Sequence, residues 1–261
     1  PLTGEGARVF GPADWRAISD RYDNGVRYAD QGLGALLRGL EQRGLLERTV
    51  LCVTSDHGET LTERPGCWFT HDPYLYEETL RVPLLFRFPK KRFAGVRSRV
   101  LARGIDVLPT LVDAAVVVAL EAQGRSLLAV LEGSDASEVP LFAQTQTRAA
   151  KESDLRLPKD QQGRWLEHRQ AIFDGRFKLI RQLEPERIEL YDLERDPGEL
   201  RDLSADPAGA AELERLLGRL LDLERSLPSR GSGRRQQSAE ELQVLFALGY
   251  ISEEELAQQL E

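Results

Sequence analysis

The sequence predicts an α/β protein: a sheet with flanking helices, followed by a small α+β subdomain built on an antiparallel sheet. Three observations carry that prediction. A long stretch with helical apolar spacing (Trp15, Ile18, Tyr22, Val26, Ala29, Leu33, Leu37, Leu40) leads into a short apolar run, Val50 to Val53, of strand length and β-branched content. Farther on, Asp174-Gly175 separates two apolar stretches and reads as a hairpin turn. Finally, Asp206-Pro207 opens a stretch whose leucines run from Leu213 to Leu227, as expected of a capped amphipathic helix.

Taken in order, residues 13 to 46 form one helix or two, with a kink at Asp23-Asn24-Gly25 and an end near Gly44, packed on the strand that follows. Residues 59 to 79 are polar and aromatic without a period, so they form an irregular loop over the carboxyl end of the sheet. Residues 80 to 88 form a second strand, with Pro83 at its start or on an edge. Residues 96 to 101 are expected to add a short edge strand, and Asp106 to cap a helix with Pro109 in its first turn. Residues 1 to 134 are thus one α/β unit and 135 to 226 the α+β unit, with strands near 139–145, 169–183 and 188–193. Residues 148 to 166 are charged and expected to form an exposed insertion, with His168 solvated nearby. Residues 227 to 261 are a linker and terminal helices, opened by the capping boxes Ser238/Glu241 and Ser252/Glu255.

Composition narrows the function. A net charge of −8 argues against a nucleic-acid partner. No apolar run approaches the ~20 residues of a membrane helix. The two cysteines, Cys52 and Cys67, form no metal-type pair, and Cys52 is a small core residue. The chain has no methionine, so residue 1 is expected not to be the biological start.

The chemistry gathers after Val53. Asp56 and His57 fall just past the strand, before Gly58, which permits a sharp turn. Chemistry in open α/β sheets sits at the carboxyl ends of strands, and a carboxylate beside an imidazole can be half of a metal site. The alternative is a helix cap at Asp56 with His57 solvated. His71 follows in the loop; it is either an acid–base residue working near neutral pH or a surface histidine. Glu59 either orients His57 or starts a helix. Ser55 lacks a Gly-x-Ser-x-Gly frame and is not a nucleophile.

Several strings occur in a specific order: Tyr28-Ala29-Asp30, Ser55-Asp56-His57-Gly58-Glu59, His71, Arg81-Val82-Pro83, Asp106-Val107-Leu108-Pro109-Thr110, Gly124-Arg125-Ser126-Leu127, Leu190-Tyr191-Asp192-Leu193 and Asp196-Pro197-Gly198-Glu199. In this order, from residue 18 to about 204, the chain resembles the second half of a sulfatase of the alkaline-phosphatase-like superfamily. The resemblance implies an alkaline-phosphatase-like sheet, incomplete at the N-terminus, and a metal-dependent sulfuric ester hydrolase. It implies Asp56 and His57 as metal ligands and His71 as the catalytic residue that contacts the sulfate. The metal is expected to be calcium, with manganese or magnesium as alternatives, and the substrate an aryl or carbohydrate sulfate ester. The family's nucleophile is a formylglycine made within Cys/Ser-x-Pro/Ala-x-Arg; neither Cys52 nor Cys67 stands in such a stretch, and the nucleophile is expected upstream of residue 1. The fragment alone is therefore expected to be inactive. His57, where many sulfatases carry Asn, keeps open a phosphodiesterase or phosphonate monoester hydrolase of the same superfamily; a non-catalytic fragment is the third alternative. The family resemblance also suggests a periplasmic or extracellular location. Arg81, Asp106, Asp192 and Ser126 are expected to be structural, as ion-pair, cap and turn residues.

Overall fold

Pro12 and a Gly11 N–H bonded to Asp14 Oδ2 at 3.0 Å open the first helix, α1 (Pro12–Gln42). It runs 31 residues without a break at Asn24-Gly25, and Gly44, at φ 64°, turns the chain out of it. This computed structural model describes residues 11–64, 71, 74–115, 122–148, 165–183 and 185–226, with helical backbone also at 239, 242, 243 and 257. Residues 1–220 and 221–261 form two compact units.

The middle of α1 is not packed as its apolar spacing suggests. Every residue from 20 to 32 is exposed, Tyr28 by 79% and Val26 by 56%. Trp15, Ile18, Leu33, Leu37 and Leu40, towards its two ends, are half-buried. The first sheet has, among the described residues, two strands, β1 (Leu51–Thr54) and β2 (Leu84–Arg87), paired antiparallel with Thr54 opposite Leu84. Leu85 of β2 is itself exposed. Pro83, which cannot donate to a ladder, precedes β2 as expected.

The loop between the strands contains a short helix the sequence did not announce, α2 (Glu77–Leu80). Residues 96–101 form no strand; most of this segment is exposed and its backbone pairs with neither β1 nor β2. Asp106 ends a tight turn before α3 (Val107–Ala114), and its side chain does not cap that helix. Instead the buried carboxylate accepts the Arg103 N–H at 2.9 Å, the Arg103 guanidinium at 2.7 Å and the Arg125 N–H at 2.9 Å. Ser126, bonded to Asp113 Oδ2 at 2.6 Å, accepts the N–H of Leu128 at the start of α4 (Leu128–Leu131). Arg81 is exposed and has no ion-pair partner among the described residues, contrary to expectation.

The second sheet runs β3 (Leu141–Arg148), β4 (Trp165–Asp174), β5 (Phe177–Gln182) and β6 (Arg187–Asp192), antiparallel throughout and in chain order. His168 lies within β4 opposite Gln146, half-buried, and not in a solvated insertion. The expected insertion itself falls mostly outside the described residues, as do the terminal capping boxes. Ile172, Leu179 and Leu190 face Leu216 and Leu220 of α5 (Ala210–Ser226), while Ala171, Phe173, Ile180 and Tyr191 face Leu75. Neighbouring residues of each strand are therefore both buried, which explains why these strands read as continuous apolar runs and not as alternating ones. On the Leu75 face, Glu189 accepts the hydroxyls of Tyr76 and Tyr191, both at 2.9 Å.

Asp174, at the β4–β5 turn, accepts from Arg215 and Arg219 and so fastens α5 to the sheet. Burial pushes its carboxyl up, but the two guanidinium groups outweigh this and hold it below the usual range. Asp174→Ala is expected to cost about 1 kcal/mol, since both arginines are partly exposed. A urea unfolding midpoint equal to wild type would count against this fastening role.

Candidate active site at the strand end

The chain leaves β1 at Ser55, and this exit decides where the next side chains point. Adjacent residues of a regular strand face opposite ways. Here Ser55 Oγ donates to the His57 carbonyl at 2.8 Å, and the His57 N–H donates to Asp56 Oδ1 at 3.0 Å. The resulting tight turn brings Asp56 Oδ1 to 3.9 Å from His57 Nε2. The His57 N–H also holds the Asp56 carboxyl below the usual carboxylate range.

His57 Nδ1 lies 2.8 Å from the Gly58 carbonyl, which can only accept, so Nδ1 carries the proton. The lone pair is then on Nε2, the nitrogen nearest Asp56. A carboxylate oxygen and a neutral imidazole nitrogen this close suit one divalent cation, and the donor pair is compatible with calcium, magnesium or a softer transition metal.

His71 completes the cluster. Its ring stacks on that of His57, with centroids 4.1 Å apart and planes at 25°. Glu59 Oε2 lies 3.1 Å from His71 Nδ1. Glu59 therefore orients His71 and not His57, and leaves His71 Nε2 as the nitrogen free to meet a ligand. His57, Glu59 and His71 offer ligand atoms all within 4.8 Å of one another. The structure thus gathers Asp56, His57 and His71, and adds Glu59. The twelve-residue separation of Glu59 from His71 carries no periodic signal; only the fold of the loop makes them neighbours.

Gly58 anchors the turn. Its N–H donates to the Thr79 carbonyl of α2 at 2.8 Å, and a Cβ placed on it would lie 2.1 Å from the Glu78 carbonyl oxygen. Thr79 is buried, with its hydroxyl donating to the carbonyls of Tyr74 and Tyr76. The backbone of α2 is thus the wall against which the site loop rests. Cys52, one turn back in β1, is a half-buried free thiol that burial pushes up, as suits a packing residue. No described helix is long and apolar enough to cross a membrane.

Residues 4–117 match the family model described as Sulfatase. An N-acetylglucosamine-6-O-sulfatase of Bacteroides thetaiotaomicron is 33% identical over 176 residues, covering 67% of this chain and 30% of that protein. A structure solved in complex with its substrate, D-glucosamine-2-N,6-O-disulfate, superposes with a TM-score of 0.57 at 28% identity, over 77% of this chain and 39% of that one. The phosphonate monoester hydrolase of Agrobacterium radiobacter superposes with a TM-score of 0.67 at 25% identity, over 90% and 50%. The chain spans about a third of the curated relative's length and up to half of the solved chains. Residues 4–117 of this chain thus carry part of a sulfatase-family domain, and its relatives and solved neighbours are of the alkaline-phosphatase-like superfamily.

Proposed function

We propose that this chain supplies half of the active site of a metal-dependent sulfuric ester hydrolase. The observation that carries the reading is the convergence of Asp56, His57 and the Glu59-held His71 at one strand end. Asp56 and His57 hold the divalent cation, calcium in first place and manganese or magnesium as alternatives. When bound, the cation offsets the charge on the oxygens of the tetrahedral sulfate group. His71, fixed at Nδ1 by Glu59, presents Nε2 to the sulfate and passes a proton to the leaving oxygen. The nucleophile is a formylglycine on the family pattern; neither Cys52 nor Cys67 stands in a Cys-x-Pro/Ala-x-Arg stretch, and the match to that pattern at Ser226-Leu227-Pro228-Ser229-Arg230 falls outside the family strings of residues 18–204. On this reading residues 1–134 belong to the catalytic unit, 135–226 form the small α+β subdomain and 227–261 a linker with terminal helices.

The names of the relatives favour a carbohydrate sulfate, in particular a sulfated amino sugar, as substrate. The second reading, a phosphonate or phosphodiester hydrolase, is favoured by His57 as a softer ligand and by the superposition on the phosphonate hydrolase. Calorimetric titration of the 261-residue chain with calcium and manganese tests the metal site: Asp56→Ala and His57→Ala are each expected to weaken binding at least tenfold. Unchanged affinity in both variants would end the metal-ligand assignment. An aryl sulfate and an aryl phosphodiester, assayed side by side with the protein extended upstream, separate the two chemistries. The 261-residue chain alone is expected to turn over neither.

A further inference from the structure

Lys178, the second residue of β5, has its side chain 0% exposed, and the side chain of Glu199, in the turn after β6, is buried as fully. Charged groups are almost never this buried unless paired. Lys178 Nζ lies 2.7 Å from Glu199 Oε1 and 3.4 Å from Glu77 Oε1, above the Phe173 ring at 4.6 Å. Glu199 Oε2 accepts the N–H of Glu77, the first residue of α2, at 2.6 Å. Arg64, itself buried, closes the cluster from the site loop. It donates to the carbonyls of Glu199 at 2.7 Å and Gly198 at 3.0 Å, pairs with Glu78 at 3.2 Å, and covers the Tyr76 ring at 3.6 Å. Glu199 is held at φ 51°, in the left-handed region that a non-glycine residue adopts only when its surroundings require it.

These contacts converge on α2, the same element whose Thr79 carbonyl takes the Gly58 N–H. A buried ion pair adds little stability over a well-packed apolar pair, so stability alone is a weak reason for this one. It does impose a single geometry, because each charge accepts only a partner placed correctly. We propose that Lys178, Glu199 and Arg64 are positioning residues: they lock α2 onto the four-stranded sheet, and α2 in turn sets the placement of the His57-Gly58-Glu59 turn. The small sheet thereby governs the geometry of a site to which it contributes no ligand. The metal arm of the test rests on the function proposed above; the hydrogen-exchange arm does not.

The test uses the 261-residue chain and the paired variant Lys178→Met/Glu199→Leu, which removes both charges together. Hydrogen exchange at the Gly58 amide is expected to quicken at least tenfold, while amides in the β4–β5 ladder keep their wild-type protection. Manganese affinity, measured by titration, is expected to fall at least fivefold in the same sample. Wild-type exchange at Gly58 in a variant whose sheet remains protected would overturn the proposal. Should the paired variant lose protection throughout, Arg64→Lys takes its place: it keeps the charge but loses the forked contact to the Gly198 and Glu199 carbonyls. The same selective loss at Gly58 supports the proposal, and wild-type exchange there overturns it. A wild-type chain that binds no manganese would refute the metal reading, yet the Gly58 exchange rate would still decide the positioning role.

Discussion

Gly58→Ala is expected to damage both the fold and the site. An added Cβ would sit 2.1 Å from the Glu78 carbonyl oxygen and 3.3 Å from the Thr79 Cα, both backbone atoms of α2. No rotamer relieves a clash with backbone, so the turn or the helix must move, and the 2.8 Å hydrogen bond from Gly58 to Thr79 is lost with it. Forced overpacking of this kind costs about 3 kcal/mol. The displacement falls between His57 and Glu59, so metal affinity is expected to drop at least tenfold alongside the unfolding midpoint. A variant with wild-type stability and wild-type affinity would show that α2 yields easily and that the turn is not built against it.

Asp106→Ala is expected to destabilise the chain without touching the strand-end cluster. The carboxylate is buried and satisfies the Arg103 guanidinium and two backbone N–H groups. Its removal leaves a partly buried cation and two donors unpaired, a loss of about 3–5 kcal/mol. Gly124 makes the arrangement tight, since a Cβ there would meet the Ile105 carbonyl at 1.9 Å. Burial raises the Asp106 pKa, but the side-chain bonds from Arg103 and the N–H groups of Arg125 and Arg103 outweigh it, and the net shift is downward. The sign follows. With a lowered folded-state value, the contribution is complete above the ordinary carboxylate range near pH 4 and is lost as the pH falls below it. Acid unfolding of Asp106→Asn should therefore show a shallower fall in stability below about pH 4 than wild type does. Equal slopes would remove Asp106 from the list of groups that drive acid unfolding.

The strands of the small subdomain were legible because their apolar runs, the Asp174-Gly175 turn and the Asp206-Pro207 start are local signals. The edge strand expected at 96–101 was not found, because strand formation needs a partner, and the sequence shows none. The buried Lys178 was also visible in principle: a lysine inside the run Phe177-Lys178-Leu179-Ile180 has no apolar reason to be there. Its partner Glu199 belonged to a recognisable string, but their pairing spans separate elements and depends on how the β6 turn folds back.

By itself the sequence determined the classes of element, the family and the identity of the candidate ligands, since these rest on composition, period and ordered motifs along the chain. Only the tertiary structure decided that Asp56 and His57 share one side of the strand end, that Glu59 holds His71, and that the middle of α1 faces solvent. The physical reason is the same in each case. Side-chain direction at a turn, contact between residues far apart in the chain, and burial of an amphipathic face are set by what lies opposite, and a one-dimensional pattern does not contain it.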